Sequence, residues 1–242
     1  MNIPTTLGII PARGGSKGIK DKNIIDVGGR PLIDWTIQVA VQSGVLDRLI
    51  VSTDAQAIAE VAVNAGAEVP FLRPANIAGD TATSIEVVLH SLQFLAENDG
   101  YRPDYVMLLQ PTSPLRTAAD IMGAFGIIQE KNVESVVSVT KADSHPDTFF
   151  KIGKNKRLAA LSKNGNSVKP SRRQDYEPVF VPNGAIYLVK TDVLEDGRDW
   201  YNSDVYGYIM SPEHSIDIDT NWDLSILRLI VENKLLQTFE AN

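Results

Sequence analysis

The sequence has no cysteine, and this one absence excludes disulfides, thiolate zinc sites and cysteine nucleophiles together. It is poor in histidine, with three in 242 residues, and none makes a persuasive general base. His90 lies off the apolar stripe of its helix, His145 precedes a proline in a loop, and His214 reads as a surface residue beside an acidic run. The apolar stretch Leu7 to Ile10 is too short for a membrane span or the core of a secretion signal, so a cytoplasmic protein with no membrane association is expected. Net positive charge is also lacking. The formal balance of −7 argues against a general nucleic-acid binder, whose affinity comes mostly from neutralising phosphates with lysine and arginine.

What is present suffices for a substantial core, since 43% of the residues are hydrophobic and the length is near the upper size of one ordinary domain. A single domain over 1–242 with a smaller appendage is expected. Leu7 to Ile10 reads as a buried strand running into the glycine-rich segment Pro11 to Gly18, which continues neither strand nor helix. A short strand over Asn23 to Val27 follows, then a helix from Pro31 to about Val41, with proline in the tolerated first turn. Arg48 to Ser52 reads as a strand, Ala55 to Ala65 as a helix, and Glu68 to Leu72 as a short strand. Ile85, Val88, Leu89, Leu92 and Leu95 mark the buried face of a helix from Thr83 to Ala96. Strands at Tyr105 to Leu109 and Ser135 to Thr140 continue the alternation. The pattern predicts a doubly wound α/β fold with a mainly parallel sheet. From about 141 to 210 the rhythm changes, and an inserted lobe is expected there, containing a strand at Ala185 to Val189. The tail from Asn221 to Phe239 is predicted to contain a long amphipathic helix, marked by Leu224, Ile226, Leu227, Leu229 and Ile230.

Three segments carry candidate chemistry. Ligands of open parallel sheets sit beyond the carboxyl ends of strands, which draws attention first to Arg13 to Asn23. There Gly14, Gly15 and Gly18 let backbone amides approach phosphate oxygens, and Arg13, Lys17 and Lys22 supply charge; a solvated surface turn is the plain alternative. Arg13, Lys17, Lys20, Lys22 and Arg30 are offset only by Asp21 and Asp26, which suits a small polyanion. The segment matches neither a P-loop nor a dinucleotide fingerprint. Gln110 to Arg116 leaves a buried strand with an amide, two hydroxyls and an arginine, and fits either a sugar- or base-orienting loop or an ordinary turn with a helix cap. In Ser215 to Thr220, an extended backbone puts Asp217 and Asp219 on one face; two carboxylates with room for waters and phosphates suit magnesium, or else simply face water. Trp200-Tyr201 reads as core aromatics.

The run Ile10 to Ile19 with Lys22-Asn23 closely resembles the signature of the N-acylneuraminate cytidylyltransferases, or CMP-sialic acid synthetases. Further blocks follow in family order: Val51 to Asp54, Leu72 to Pro74 with Asp80 to Ala82, Leu109 to Arg116, Pro182 to Tyr187 and Ile216 to Thr220. The resemblance spans nearly the whole chain. It implies a Rossmann-like nucleotidyltransferase with a small dimerisation lobe, transferring CMP from CTP to a nine-carbon sialic-type acid with release of pyrophosphate. By the same resemblance Arg13, Ser16, Lys17, Lys22 and Asn23, with Thr83, hold the nucleotide, and Gln110, Arg173 and Tyr187 face the sugar acid, the arginine fork pairing with its carboxylate. Asp217 and Asp219 bind Mg2+, and Arg13, Lys22 and Asp217 carry the catalytic load rather than a covalent nucleophile. A homodimer is implied, with Trp200-Tyr201 at the place from which family members reach a neighbour's sugar site. Val181 departs from the basic residue often found before Pro-Asn-Gly, and Lys169 to Asp175 is individual, so N-acetylneuraminate, legionaminate and related acids stay open. The alternatives are a cytidylyltransferase for pseudaminate or an eight-carbon ketodeoxy acid, and a regulatory protein that binds nucleotide without turnover.

Overall fold

A computed structural model describes residues 4–161 and 176–235. In chain order it contains the strands β1 (Thr6–Pro11), β2 (Asp26–Val27) and β3 (Arg30–Pro31), helix α1 (Leu32–Ser43), β4 (Arg48–Ser52), α2 (Gln56–Asn64), α3 (Ser84–Asp99) and β5 (Tyr105–Leu108). Then come α4 (Ala118–Lys131), β6 (Ser135–Lys141), β7 (Phe150–Ile152), β8 (Leu158–Ala160), β9 (Phe180–Lys190), α5 (Thr191–Glu195), β10 (Val205–Ile209) and α6 (Asn221–Glu232).

The central sheet has the order β10-β6-β9-β5-β1-β4. All neighbours pair in parallel except at β9, which runs against both β5 and β6. Strand alternation sends one set of side chains to each face. Ile10, Val51, Met107 and Val136 pack with α1, α2 and α4 through Ile37, Ile58 and Phe125. Leu7, Ile9, Val106 and Val137 pack on the other face with Val88 and Leu92 of α3, Leu194 of α5, and Trp200. Each such side chain, taken fully out of water, contributes about 1.5–3 kcal/mol. The doubly wound, mainly parallel α/β expectation holds. Trp200 belongs to the core, as its sequence reading proposed, whereas Tyr201 is exposed.

Within the expected lobe, β9 and β10 are members of the central sheet, and among the described residues only the β7–β8 hairpin forms a separate one. The strand expected over Asn23 to Val27 is a 3-10 turn, Lys22–Ile24, followed by two-residue β2, because Asp21 turns the chain with a left-handed φ of 51°. Glu68 to Leu72 makes only isolated bridges, Ile50 to Glu68 and Thr53 to Leu72. Helix α6 ends at Glu232, where Asn233 and a left-handed Lys234 leave the helical path, and the rest of the predicted stretch, from 236 on, lies outside the described residues.

Two crossovers leave β1 flanked on one side by β4 and on the other by β5. Between such strands the outgoing connections diverge and open a crevice at their carboxyl ends.

Candidate active site

The crevice holds a cavity of about 340 Å³. Pro11, Arg13, Ser16, Lys22 and Asn23 come to it from the β1 exit, Gly79, Asp80, Ala82, Thr83 and Ser84 from the segment leading into α3, and Gln110, Pro111 and Thr112 from the β5 exit. Six of the predicted residues therefore meet there: Arg13, Ser16, Lys22, Asn23, Thr83 and Gln110.

The loop after β1 is shaped by close approach. The Gly14 N–H donates to Asp54 Oδ1 at 2.8 Å, and a Cβ at Gly14 would lie 2.8 Å from that of Ala55. At Gly18 a Cβ would strike the Asp219 carbonyl oxygen, so only glycine lets the loop lie this close to the acidic run. Buried Asn23 donates Nδ2 to the Arg13 carbonyl at 3.0 Å and closes the loop on itself. Lys22 Nζ donates to the Ile218 carbonyl at 2.8 Å and lies 3.3 Å from Asp219 Oδ1. Thr83 caps α3, its hydroxyl accepting from the Glu86 N–H at 3.2 Å while Glu86 accepts in return.

Lys17 reaches the cavity through Asp80, which pairs with both Lys17, at 2.6 Å, and Arg13. These two cations hold the Asp80 carboxyl below its ordinary range, with Lys17 the larger contributor. Neither Asp80 nor Arg73 was given a role from the sequence. Arg73 is buried, donating to Ser52 Oγ at 3.1 Å and to the Ser52 carbonyl, and it lines the cavity. Burial lowers its guanidinium, with Asp54 opposing and Arg13 adding to the effect. The signal for both was a charged side chain in an otherwise apolar or glycine-containing run, Leu72-Arg73-Pro74 and Gly79-Asp80.

Arg116 is the largest fully buried side chain among the described residues and braces the opposite wall. It donates to the carbonyls of Gln110, at 3.3 Å, and Ala185, at 2.5 Å, and to Thr36 Oγ1 at 3.0 Å. Burial pushes its guanidinium down to about 9, with Asp120 opposing.

The acidic run belongs to no strand. Its Ile218 N–H instead donates to the Thr112 carbonyl at 2.8 Å, and the Ile218 side chain is buried in one cluster with Ile19, Leu115, Leu224 and Leu227. Asp217 and Asp219 flank Ile218, joined to the cavity by Thr112 and Lys22. Solvent reaches Asp217, yet the surrounding protein pushes its carboxyl up, the Thr112 hydroxyl opposes this, and Asp219 adds to it. Among the described residues no group of three or more His, Asp or Glu is arranged to hold a metal. Two crowded carboxylates with one lysine between them and the loop fit a hard divalent ion that takes its other ligands from water and phosphate.

Tyr187 stands on β9 beside Leu108 and packs on Trp200, with ring centroids 5.6 Å apart, and edge-on to Tyr201 at 6.4 Å. Burial raises its phenol, and Tyr201 and Asp217 add to the rise. Tyr187 is outside the lining of the cavity. Arg173 lies outside the described residues.

Residues 7–204 match the family described as cytidylyltransferase. The chain belongs to that family. The CMP-N,N'-diacetyllegionaminic acid synthase of Legionella pneumophila is 36% identical over 233 residues, covering 93% of this chain and 96% of that protein. The N-acylneuraminate cytidylyltransferase of Streptococcus agalactiae serotype V is 34% identical over 223 residues, covering 89% of this chain and 50% of that protein. The chain thus spans about half the length of the streptococcal relatives it matches. A CMP:2-keto-3-deoxy-manno-octonic acid synthetase solved in complex with CTP superposes with a TM-score of 0.69 at 17% identity, covering 95% of this chain and 99% of that one. At that identity the likeness speaks for the cytidylyltransferase fold. No described helix is long and apolar enough to cross a membrane.

Proposed function

We propose that this cytidylyltransferase-family chain transfers CMP from CTP to the anomeric hydroxyl of a nine-carbon sialic-type acid. The observation that carries the reading is the cavity at the β1 and β5 exits, where Arg13, Lys22 and Asn23 face Gln110 and Thr112. The names of the relatives support it, and the legionaminate synthase, matched along nearly its whole length, makes N,N'-diacetyllegionaminate the first acid to try.

The anomeric oxygen bonds to the α-phosphorus as the bond from that phosphorus to the oxygen bridging it to the β-phosphate breaks. Pyrophosphate departs with the bonding pair and the hydroxyl proton is released. Negative charge grows on the leaving group, so fixed cations lower the barrier. Arg13 and Lys17 exchange Asp80 for phosphate oxygens, and Lys22, anchored on the Ile218 carbonyl, holds its charge beside the acidic run. Ser16, Asn23 and Thr83 orient the nucleotide, while Gln110, Tyr187 and Arg173 orient the sugar acid. Asp217 and Asp219 are the residues that hold Mg2+, which when bound supplies a Lewis acid at the phosphates.

The proposal extends to a homodimer formed through residues about 141–210, supported by the exposed side chains of Ile152, Leu158, Val205 and Ile209, and to a cytoplasmic location, where CTP is made. Light scattering checks the assembly. Pyrophosphate release is measured with CTP and magnesium against N,N'-diacetyllegionaminate, N-acetylneuraminate, pseudaminate and an eight-carbon ketodeoxy acid, with ATP and GTP controls. Release with CTP and a nine-carbon sialic-type acid is expected; silence across the panel sinks the proposal.

A further inference from the structure

A carboxylate at the third position of a helix caps the first turn while remaining in water. Among the described residues three helices carry this box: Thr83 with Glu86 in α3, Thr117 with Asp120 in α4, and Thr220 with Asp223 in α6. Of these carboxylates only Asp120 is buried, its side chain 8% exposed. Capping does not require that burial, and burying a carboxylate is costly unless it gains further partners. Asp120 gains two from a distant part of the chain. His214 Nδ1 lies 3.1 Å from Oδ2, and the Tyr208 hydroxyl donates to Oδ1 at 3.3 Å.

His214 belongs to a turn that leads directly into the acidic run. The Ser215 N–H donates to the Pro212 carbonyl at 3.1 Å and the Ser215 hydroxyl to the Ser211 carbonyl at 2.7 Å. Buried Asn183 of β9 donates Nδ2 to Ser215 Oγ at 2.9 Å. On the far side of Asp217 the next fixed point is the Ile218 N–H on the Thr112 carbonyl. Asp217 is therefore suspended between two anchors, one at each end. Both lead back to the β5 exit, because α4 begins directly after the loop that carries Gln110 and Thr112.

We propose that Asp120 and His214 are positioning residues: their contact holds the Ser211 to Ser215 turn on the start of α4 and so fixes Asp217 against Thr112 and Lys22. A histidine set aside from the sequence thereby acquires a task without touching substrate. The bearing on turnover rests on the cytidylyl-transfer reading; the tether itself does not.

The test compares parent, His214→Ala, His214→Asn and Asp120→Asn by hydrogen exchange with mass spectrometry and by turnover. His214 is the principal target because it is partly exposed, so its replacement does not depend on Asp120→Asn folding. In His214→Ala, amides in 215–219 exchange about ten-fold faster while β1, β5 and the body of α4 keep the parent's rates. The magnesium needed for half-maximal turnover rises several-fold, with KM for CTP at saturating magnesium near the parent's. His214→Asn, whose amide can donate from near the Nδ1 position, recovers most of both. Unchanged exchange in 215–219, exchange accelerated throughout the protein, or a loosened run with the parent's magnesium requirement would each overturn the proposal. A parent silent toward CTP and every sugar acid would instead sink the proposed function, and the exchange measurement would still decide the tether.

Discussion

Replacing Gly18 by alanine probes the closest approach between the two halves of the site. The new methyl would land on the Asp219 carbonyl oxygen, a backbone atom that cannot rotate away. The loop and the acidic run must part by about 1 Å before reaching the 3.4 Å at which ordinary contact begins. Overpacking of this kind costs about 1–3 kcal/mol and lowers the thermal midpoint of a chain this long by roughly 2–12 °C. The same opening stretches the Lys22 contacts of 2.8 Å to the Ile218 carbonyl and 3.3 Å to Asp219 Oδ1. A misplacement of that size can cost about 100-fold, so kcat/KM for CTP should fall by roughly that factor. Gly15→Ala is the stability control, since its Cβ would meet nothing within 4 Å, and its midpoint should stay within about 1 °C of the parent. Calorimetry and a pyrophosphate assay read both effects. A Gly18→Ala protein with the parent's midpoint and kcat/KM would refute the reasoning.

Asp80→Asn removes a carboxylate that competes with phosphate for Arg13 and Lys17; both pairs are solvent-exposed, so KM for CTP should drop only about two- to five-fold. A rise in KM would mean that Asp80 places those cations rather than withholding them. Asp217→Asn should cut turnover by about 10²–10³ without lowering the thermal midpoint, because the fold already disfavours that negative charge; full turnover in the variant would exclude Asp217 from the chemistry. Tyr101 and Tyr208 are raised from 10.0 to about 12, chiefly by burial. Above pH 10 the unfolded chain releases phenol protons that the native state retains, so stability should decline from pH 10 to 12. Tyr208→Phe should flatten part of that decline in a midpoint-versus-pH series, and an identical slope would contradict the assignment.

Elements governed by local rules were legible in the sequence. β4 has its predicted bounds, and the helix predicted from Thr83 is capped by that residue, because alternation and capping act over a few positions. What depended on distant partners was not. Ser215 to Thr220 alternates like a strand, yet Ile218 bonds to the loop at Thr112, far away in sequence. The phosphate-loop residues were found because glycine and lysine crowd one segment, whereas Arg73, Asp80 and His214 stand alone in theirs and gain meaning only from Ser52, Arg13 and Asp120. The reversed direction of β9 was equally hidden, since a buried antiparallel strand and a buried parallel one share the same apolar run.

That reversed strand has a consequence for how the molecule is made. β5 and β6 are not neighbours; each pairs with β9, which lies between them. As the chain leaves the ribosome, β1, β4 and β5 can assemble, and β6 follows, but β5 then presents an unpaired edge and β6 has no partner on either side. Such edges invite pairing with other chains. They are covered only when residues 180–190 emerge and are laid between them, joining Tyr105 to Lys190 on one side and Ser135 to Val189 on the other. Translation that stops before Phe180 therefore releases an open β4-β1-β5 sheet and a lone β6, whose other neighbour β10 is also still to come, and the step most exposed to aggregation is the wait for these late strands.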